Sequence, residues 1–93
     1  REGIGASHET PIVVEFEVEP KAPFAGLLVR ELGLPSGCVL VRCHVDGREW
    51  VPTANTRLEV HTRITVVVAP EAEGALEALR RGCAPQEEPA GAA

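Results

Sequence analysis

Aromatic residues are scarce in this chain: two phenylalanines, one tryptophan and no tyrosine among 93 residues. Twelve valines carry the apolar weight instead. Valine is stiff at χ1 and suits a pleated surface, so a valine-rich, aromatic-poor core points to strands packed on small helices. Long apolar runs are missing as well. None approaches the roughly 20 residues that cross a bilayer, and no signal peptide is visible. Any tie to a membrane is therefore expected to run through a partner or through other parts of a longer protein. The chain opens on Arg1 and not on methionine, as an excised fragment would.

Metal and phosphate signatures are absent too. Cys38, Cys43 and Cys83 show no CxxC spacing, and no HxxxH accompanies them, which removes the usual structural zinc site. Three thiols cannot all pair within one chain, so a reduced, cytoplasmic setting is expected. The stretch "GLLVRELG" is neither a GxGxxG nor a P-loop. No set of nucleophile, base and orienting group can be assembled, so neither catalysis nor a cofactor is expected.

The length suits one small domain with a modest core, and a hydrophobic content of 44% is enough for it to fold. The net charge is −5, unevenly placed. Residues 1–27 carry two basic and five acidic groups, residues 69–93 carry the same, and residues 28–68 carry five arginines against four acids. Acidic flanks around a faintly basic middle do not suit a nucleic acid polymer. A small anionic ligand near the central arginines is compatible with this balance, as are plain solvated surface charges.

Residues 1–10 read as a flexible lead-in. "IVVEFEVE" at 12–19 alternates: Ile12, Val14, Phe16 and Val18 point one way, Glu15, Glu17 and Glu19 the other, with Val13 out of pattern. That is a half-buried strand with a wet acidic face. After "EPKAP", the spacing of Phe24, Leu27, Leu28 and Leu32 predicts a helix, stopped by Gly33 and Pro35. Residues 38–45 predict a second strand. Simple alternation puts Val39, Val41, Cys43 and Val45 on one face and Cys38, Leu40, Arg42 and His44 on the other. On that reading Cys38 and Cys43 converge only if a bulge intervenes.

Asp46-Gly47 predicts a two-residue hairpin turn, which sets Val45 opposite Arg48, His44 opposite Glu49 and Cys43 opposite Trp50. The His44–Glu49 pair reads either as a pH-sensitive contact or as an ordinary exposed cross-strand pair. "REWVP" is the return strand, with Pro52 opposite Val41. "RITVVVA" at 63–69 is an apolar strand, expected to be buried on both faces or covered outside by a helix. Pro70 opens a last helix with Ala72, Ala75, Leu76 and Leu79 as its apolar stripe and Gly82 as its stop. Residues 84–93 read as a disordered tail. The order β-α-β-β-β-α predicts an α+β domain over 11–83, a four-stranded antiparallel or mixed sheet with helices packed against it.

The order of short words then carries more than any single residue. "F-x-G-x-x-V-R-E-L-x-L-P-x-G-C-x-L-V", "D-G-x-x-x-V-P" and "N-T-x-L", followed by an apolar strand and a short helix, resemble the TrkA-C domain, the C-terminal lobe of RCK regulatory modules. The resemblance covers residues 12–82. It is carried by Gly26, Glu31-Leu32, Leu34-Pro35, Gly37, Asp46-Gly47, Pro52, Thr56 and Leu58. It departs from the family at Val45, where a basic residue often stands, at Asn55, often aspartate, and at His61-Thr62, often Gly-Asp.

The resemblance implies a regulatory domain attached to, or associated with, potassium or other ion transporters, placed at the cytoplasmic side of the membrane. It implies a homodimer that in several relatives binds a small ligand at its interface, cyclic di-AMP in some, and so gates transport allosterically. The turn geometry and the resemblance together direct attention to Ser36, Gly37, Cys38 and Val39, with Pro52 nearby, as the ligand-binding residues. A purely structural dimerisation domain without ligand is the alternative. An enzyme using Cys38 or Cys43 would require an unusually reactive thiol.

Overall fold

The computed structural model describes residues 10–86; the expected lead-in and tail therefore lie largely outside the described residues. Four strands form one sheet: β1 (Ile12–Glu17), β2 (Cys38–Val45), β3 (Arg48–Trp50) and β4 (Arg63–Val68). Their order is β1-β4-β2-β3, and every pair is antiparallel. A 3₁₀ segment over Pro70–Ala75 leads into a helix, α1 (Leu76–Cys83). The α+β class and the antiparallel sheet follow the sequence reading.

The apolar run of β4 has a simple cause. The strand lies at the centre of the sheet, between β1 and β2. Alternation survives inside it: Ile64, Val66 and Val68 are fully buried on the core face, while Arg63, Thr65 and Val67 face the other way. Against the core face pack Val18, Phe24, Leu32, Leu58, Ala72, Leu79 and Cys83.

Two local expectations are corrected. The first helix does not form. Phe24–Leu27 is a turn, Gly26 sits at φ +84°, Leu28 is extended and bridges Arg57, and only Val29–Glu31 makes a single 3₁₀ turn. The backbone donors that a helix would use locally are taken from afar. Gly26 N–H donates to the Leu58 carbonyl, Val29 to Thr56 and Arg30 to Ala54, while Leu58 N–H donates back to Leu27. The apolar spacing is satisfied by a coil wrapped around Leu58 rather than by an i→i−4 ladder.

The second correction concerns β2. Leu40 pairs with Val66 and Arg42 with Thr65, so Val41 is the extra residue of a bulge. Cys38, Leu40 and Cys43 are consequently all buried on the core face, and Arg42 and His44 share the outer face with Val39. The hairpin pairs Cys43 with Trp50, His44 with Glu49 and Val45 with Arg48 as expected, and Asp46 (φ 50°) and Gly47 (φ 82°) both take the left-handed conformation. β3 ends at Trp50, so Pro52 lies beyond it and not opposite Val41.

Gly82 does not stop the last helix. It lies inside α1 under the Phe24 ring, where a Cβ would come within 2.3 Å of Phe24 Cζ. Its carbonyl accepts from Phe24 N–H (2.9 Å), and that of Cys83 accepts from Glu19 N–H (3.0 Å). Beyond the helix, Gln86 N–H donates to the Lys21 carbonyl (2.9 Å).

Candidate functional site

A cleft of about 390 Å³ opens between the 3₁₀ turn, the start of β2 and the segment after β3. The turn supplies Val29, Arg30, Gly33 and Leu34; β2 supplies Cys38, Val39 and Leu40; and the chain after β3 supplies Pro52, Thr53 and Ala54. Three of the five residues singled out from sequence, Cys38, Val39 and Pro52, line it together. Ser36 and Gly37 do not. Ser36 is exposed. Gly37, at φ +97°, meets the 3₁₀ segment before α1: its carbonyl accepts from Ala69 N–H (2.8 Å), and a Cβ there would lie 2.9 Å from the Ala72 Cβ. Gly37 thus fits a close backbone approach that only glycine allows.

The cleft is apolar on one wall and carries a cation at its rim. Val29, Leu34, Val39, Leu40 and Pro52 make the wall. Arg30 supplies the charge, and its guanidinium donates to the Asn55 side-chain oxygen, a neutral acceptor. The neighbouring Glu31 is engaged elsewhere, accepting from Leu28 N–H at 2.9 Å. Residues 53–56 are held by their own hydroxyls: Thr53 N–H donates to Thr56 Oγ1 (2.9 Å) and Asn55 N–H to Thr53 Oγ1 (3.3 Å). Thr53 was not picked out from the sequence, and Arg30 was weighed only as one of the central arginines Arg30, Arg42, Arg48, Arg57 and Arg63 that suit a small anionic ligand. The signal was present in "N-T-x-L", whose Asn55 holds the Arg30 side chain.

The three cysteines are shifted away from the thiolate form. All three are free and buried. Burial pushes the Cys38 and Cys43 thiols above their ordinary range, and Cys83 up to about 11, with the Glu19 carboxylate adding to the rise. A nucleophilic cysteine needs the opposite shift. No cluster of three His, Cys, Asp or Glu able to hold a metal ion occurs among the described residues, and no helix there is long and apolar enough to cross a membrane. His61, in the turn before β4, takes φ 76° and sits 3.3 Å from Glu17 through Nδ1. It adopts the left-handed backbone at the place where the TrkA-C pattern often carries Gly-Asp.

Comparison with known proteins is consistent with this geometry. Residues 13–81 match the TrkA-C domain. Among solved structures, one described as the GsuK channel bound to NAD superposes with a TM-score of 0.60 at 22% identity, over 77% of this chain and 14% of that one. At that identity the likeness is one of fold, and this chain corresponds to a small part of the channel's length. No curated protein matches the chain.

Proposed function

The chain belongs to the TrkA-C domain family, and from that premise we propose that it is a dimerising, ligand-sensing regulatory domain of a prokaryotic potassium or other ion transport protein, acting at the cytoplasmic face. The cleft between the 3₁₀ turn and β2 carries the reading. Its apolar wall suits the flat face of a base, and the Arg30 guanidinium at its rim suits a phosphate. A small nucleotide such as cyclic di-AMP has both parts. The solved structure of similar fold is described as the GsuK channel bound to NAD, which makes NAD a probe to set beside the cyclic dinucleotides. A ligand seated there would favour one arrangement of two domains and so bias a gate elsewhere in the parent protein.

Calorimetric titration of the chain with cyclic di-AMP, cyclic di-GMP and NAD tests this. Saturable binding weakened about tenfold or more by Arg30→Ala is the expected result. Silence from all three removes the ligand class. The second reading, a dimerisation domain with no ligand, is favoured by a separate observation: on the outer face of the sheet, Val13 is 65% and Val39 56% exposed.

A further inference from the structure

In an antiparallel ladder each residue turns both its N–H and its C=O to one side of the strand, and successive residues alternate. Two bonds at the ends of β4 fix that alternation here. Val18 N–H donates to the Thr62 carbonyl (2.8 Å), one step beyond the Glu17–Arg63 pair. Counting in twos from there makes Val14–Val66 a bonded pair, so Val66 points its backbone groups at β1. At the other end Ala69 N–H donates to the Gly37 carbonyl (2.8 Å), which makes Val39–Val67 a bonded pair. Both counts leave Cys38 and Leu40 turned away from β4, toward the free edge of β2.

Cys38 bears out the direction, since its N–H donates to the Pro35 carbonyl at 3.2 Å. Leu40 has no such partner. β3 covers this edge of β2 only from Val45 to Cys43, and the chain then leaves through Pro52, which has no N–H. Among the described residues nothing bonds the Leu40 N–H, the Leu40 carbonyl or the Cys38 carbonyl. Yet Leu40 is only 8% exposed, and this edge borders the cleft shared by Gly33, Leu34, Pro52 and Thr53. Sheltered backbone groups are almost always paired. An acceptor, a donor and an acceptor in a row along such an edge mark a place for something that supplies the complement.

The row is short. The Pro35 carbonyl closes it at one end and Trp50, paired with Cys43, at the other. An added strand of ordinary length, about five residues, does not fit; a flat ring with a donor beside an acceptor does. We infer that the free edge of β2 reads the Watson–Crick edge of a purine base. For adenine, Leu40 N–H donates to ring nitrogen N1 while the Cys38 carbonyl accepts from the N6 amino group. Guanine offers the same pair in its N1–H and O6. The base then lies against the apolar wall of the cleft, with its phosphate toward Arg30 at the rim. This inference rests on the nucleotide reading proposed above and adds what that reading leaves open, that the base is recognised by main chain and not by a side chain.

The test uses the full 93-residue chain, isotope-labelled and assigned by NMR, with cyclic di-AMP and its 1-deaza and 7-deaza analogues as probes. The 1-deaza analogue lacks the N1 acceptor; the 7-deaza analogue keeps the whole edge. Cyclic di-AMP and the 7-deaza analogue are expected to move the Leu40 amide proton downfield, as a new hydrogen bond does. The 1-deaza analogue should leave it in place and bind about tenfold more weakly. The same downfield shift from cyclic di-GMP in place of cyclic di-AMP assigns the edge to the guanine lactam and supports the inference equally. A Leu40 amide unmoved at saturation, or equal affinity for the 1-deaza and 7-deaza analogues, overturns recognition by the backbone and leaves the nucleotide site standing. No binding by cyclic di-AMP, cyclic di-GMP or NAD overturns both.

Discussion

At the scale of single residues, the tightest constraint is glycine beneath an aromatic ring. Phe24 is one of only two phenylalanines, and it closes the core directly over Gly82. Gly82→Ala has no room unless the ring or the helix moves, so a loss of about 2 kcal/mol is expected, read as a lower urea midpoint with unchanged slope. The opposite sign is expected at His61. Its left-handed backbone costs an L-residue about 1 kcal/mol, while the exposed contact with Glu17 returns only a few tenths. His61→Gly should therefore raise stability by roughly 0.5 kcal/mol.

The thiols give a pH signature. An unfolded cysteine titrates near 9.0, and Cys83 in the fold near 11. Between those values the folded state holds a proton that the unfolded state has lost, so stability present below pH 9 falls as pH rises toward 11, by at most about 1.4 kcal/mol per pH unit for one group. Cys38 and Cys43 shift in the same direction. With no tyrosine in the chain and Lys21 its one lysine, few other side chains titrate there. Cys83→Ala should flatten the alkaline limb of a urea-midpoint profile. An unchanged limb would assign the slope to other groups.

At the scale of elements, local chemistry was legible and long-range chemistry was not. Asp46-Gly47 announced the hairpin because both residues tolerate positive φ, and its register followed by counting. The Val41 bulge left no such mark, since a β-branched residue in a valine-rich strand looks like regular strand. It alone accounts for Cys38, Leu40 and Cys43 sharing a face. The helix expected over 24–32 failed for the same kind of reason: its apolar spacing was genuine, but the partners of its backbone lie at 54–58, out of sight of a local pattern. The candidate site was half visible on that account. Cys38, Val39 and Pro52 were singled out from the turn and the family resemblance together, while Arg30 and Thr53 arrive through this distant pairing. Deleting Val41 joins Leu40 to Arg42 in an unbroken ladder without moving a core residue. The deletion variant is expected to fold cooperatively, within about 1 kcal/mol of the parent; loss of cooperative unfolding would show that the bulge itself is needed.

At the scale of the whole molecule, the cleft draws on three stretches, 29–34, 38–40 and 52–54, that the fold brings to one place. A ligand there binds only the assembled fold, so occupancy must stabilise everything. At a concentration 100 times its dissociation constant, it should add about 2.7 kcal/mol to unfolding. Thermal melts with and without cyclic di-AMP read this directly, and a tenfold weakening in Arg30→Ala should cut the increment to about 1.4 kcal/mol or less at the same ligand concentration while leaving the unliganded melt in place. An equal increment in the variant would move the ligand elsewhere on the surface.

The central place of β4 has a consequence for how the chain comes into being. β1 and β2 do not touch as strands; each is paired through β4, which is the last of the four to be synthesised. Until β4 has left the ribosome, the β2–β3 hairpin is the one strand pair of the sheet that can close. β1 must wait, unpaired, for a partner some fifty positions downstream. Folding is thus expected to be late and abrupt, with the hairpin as its early local nucleus.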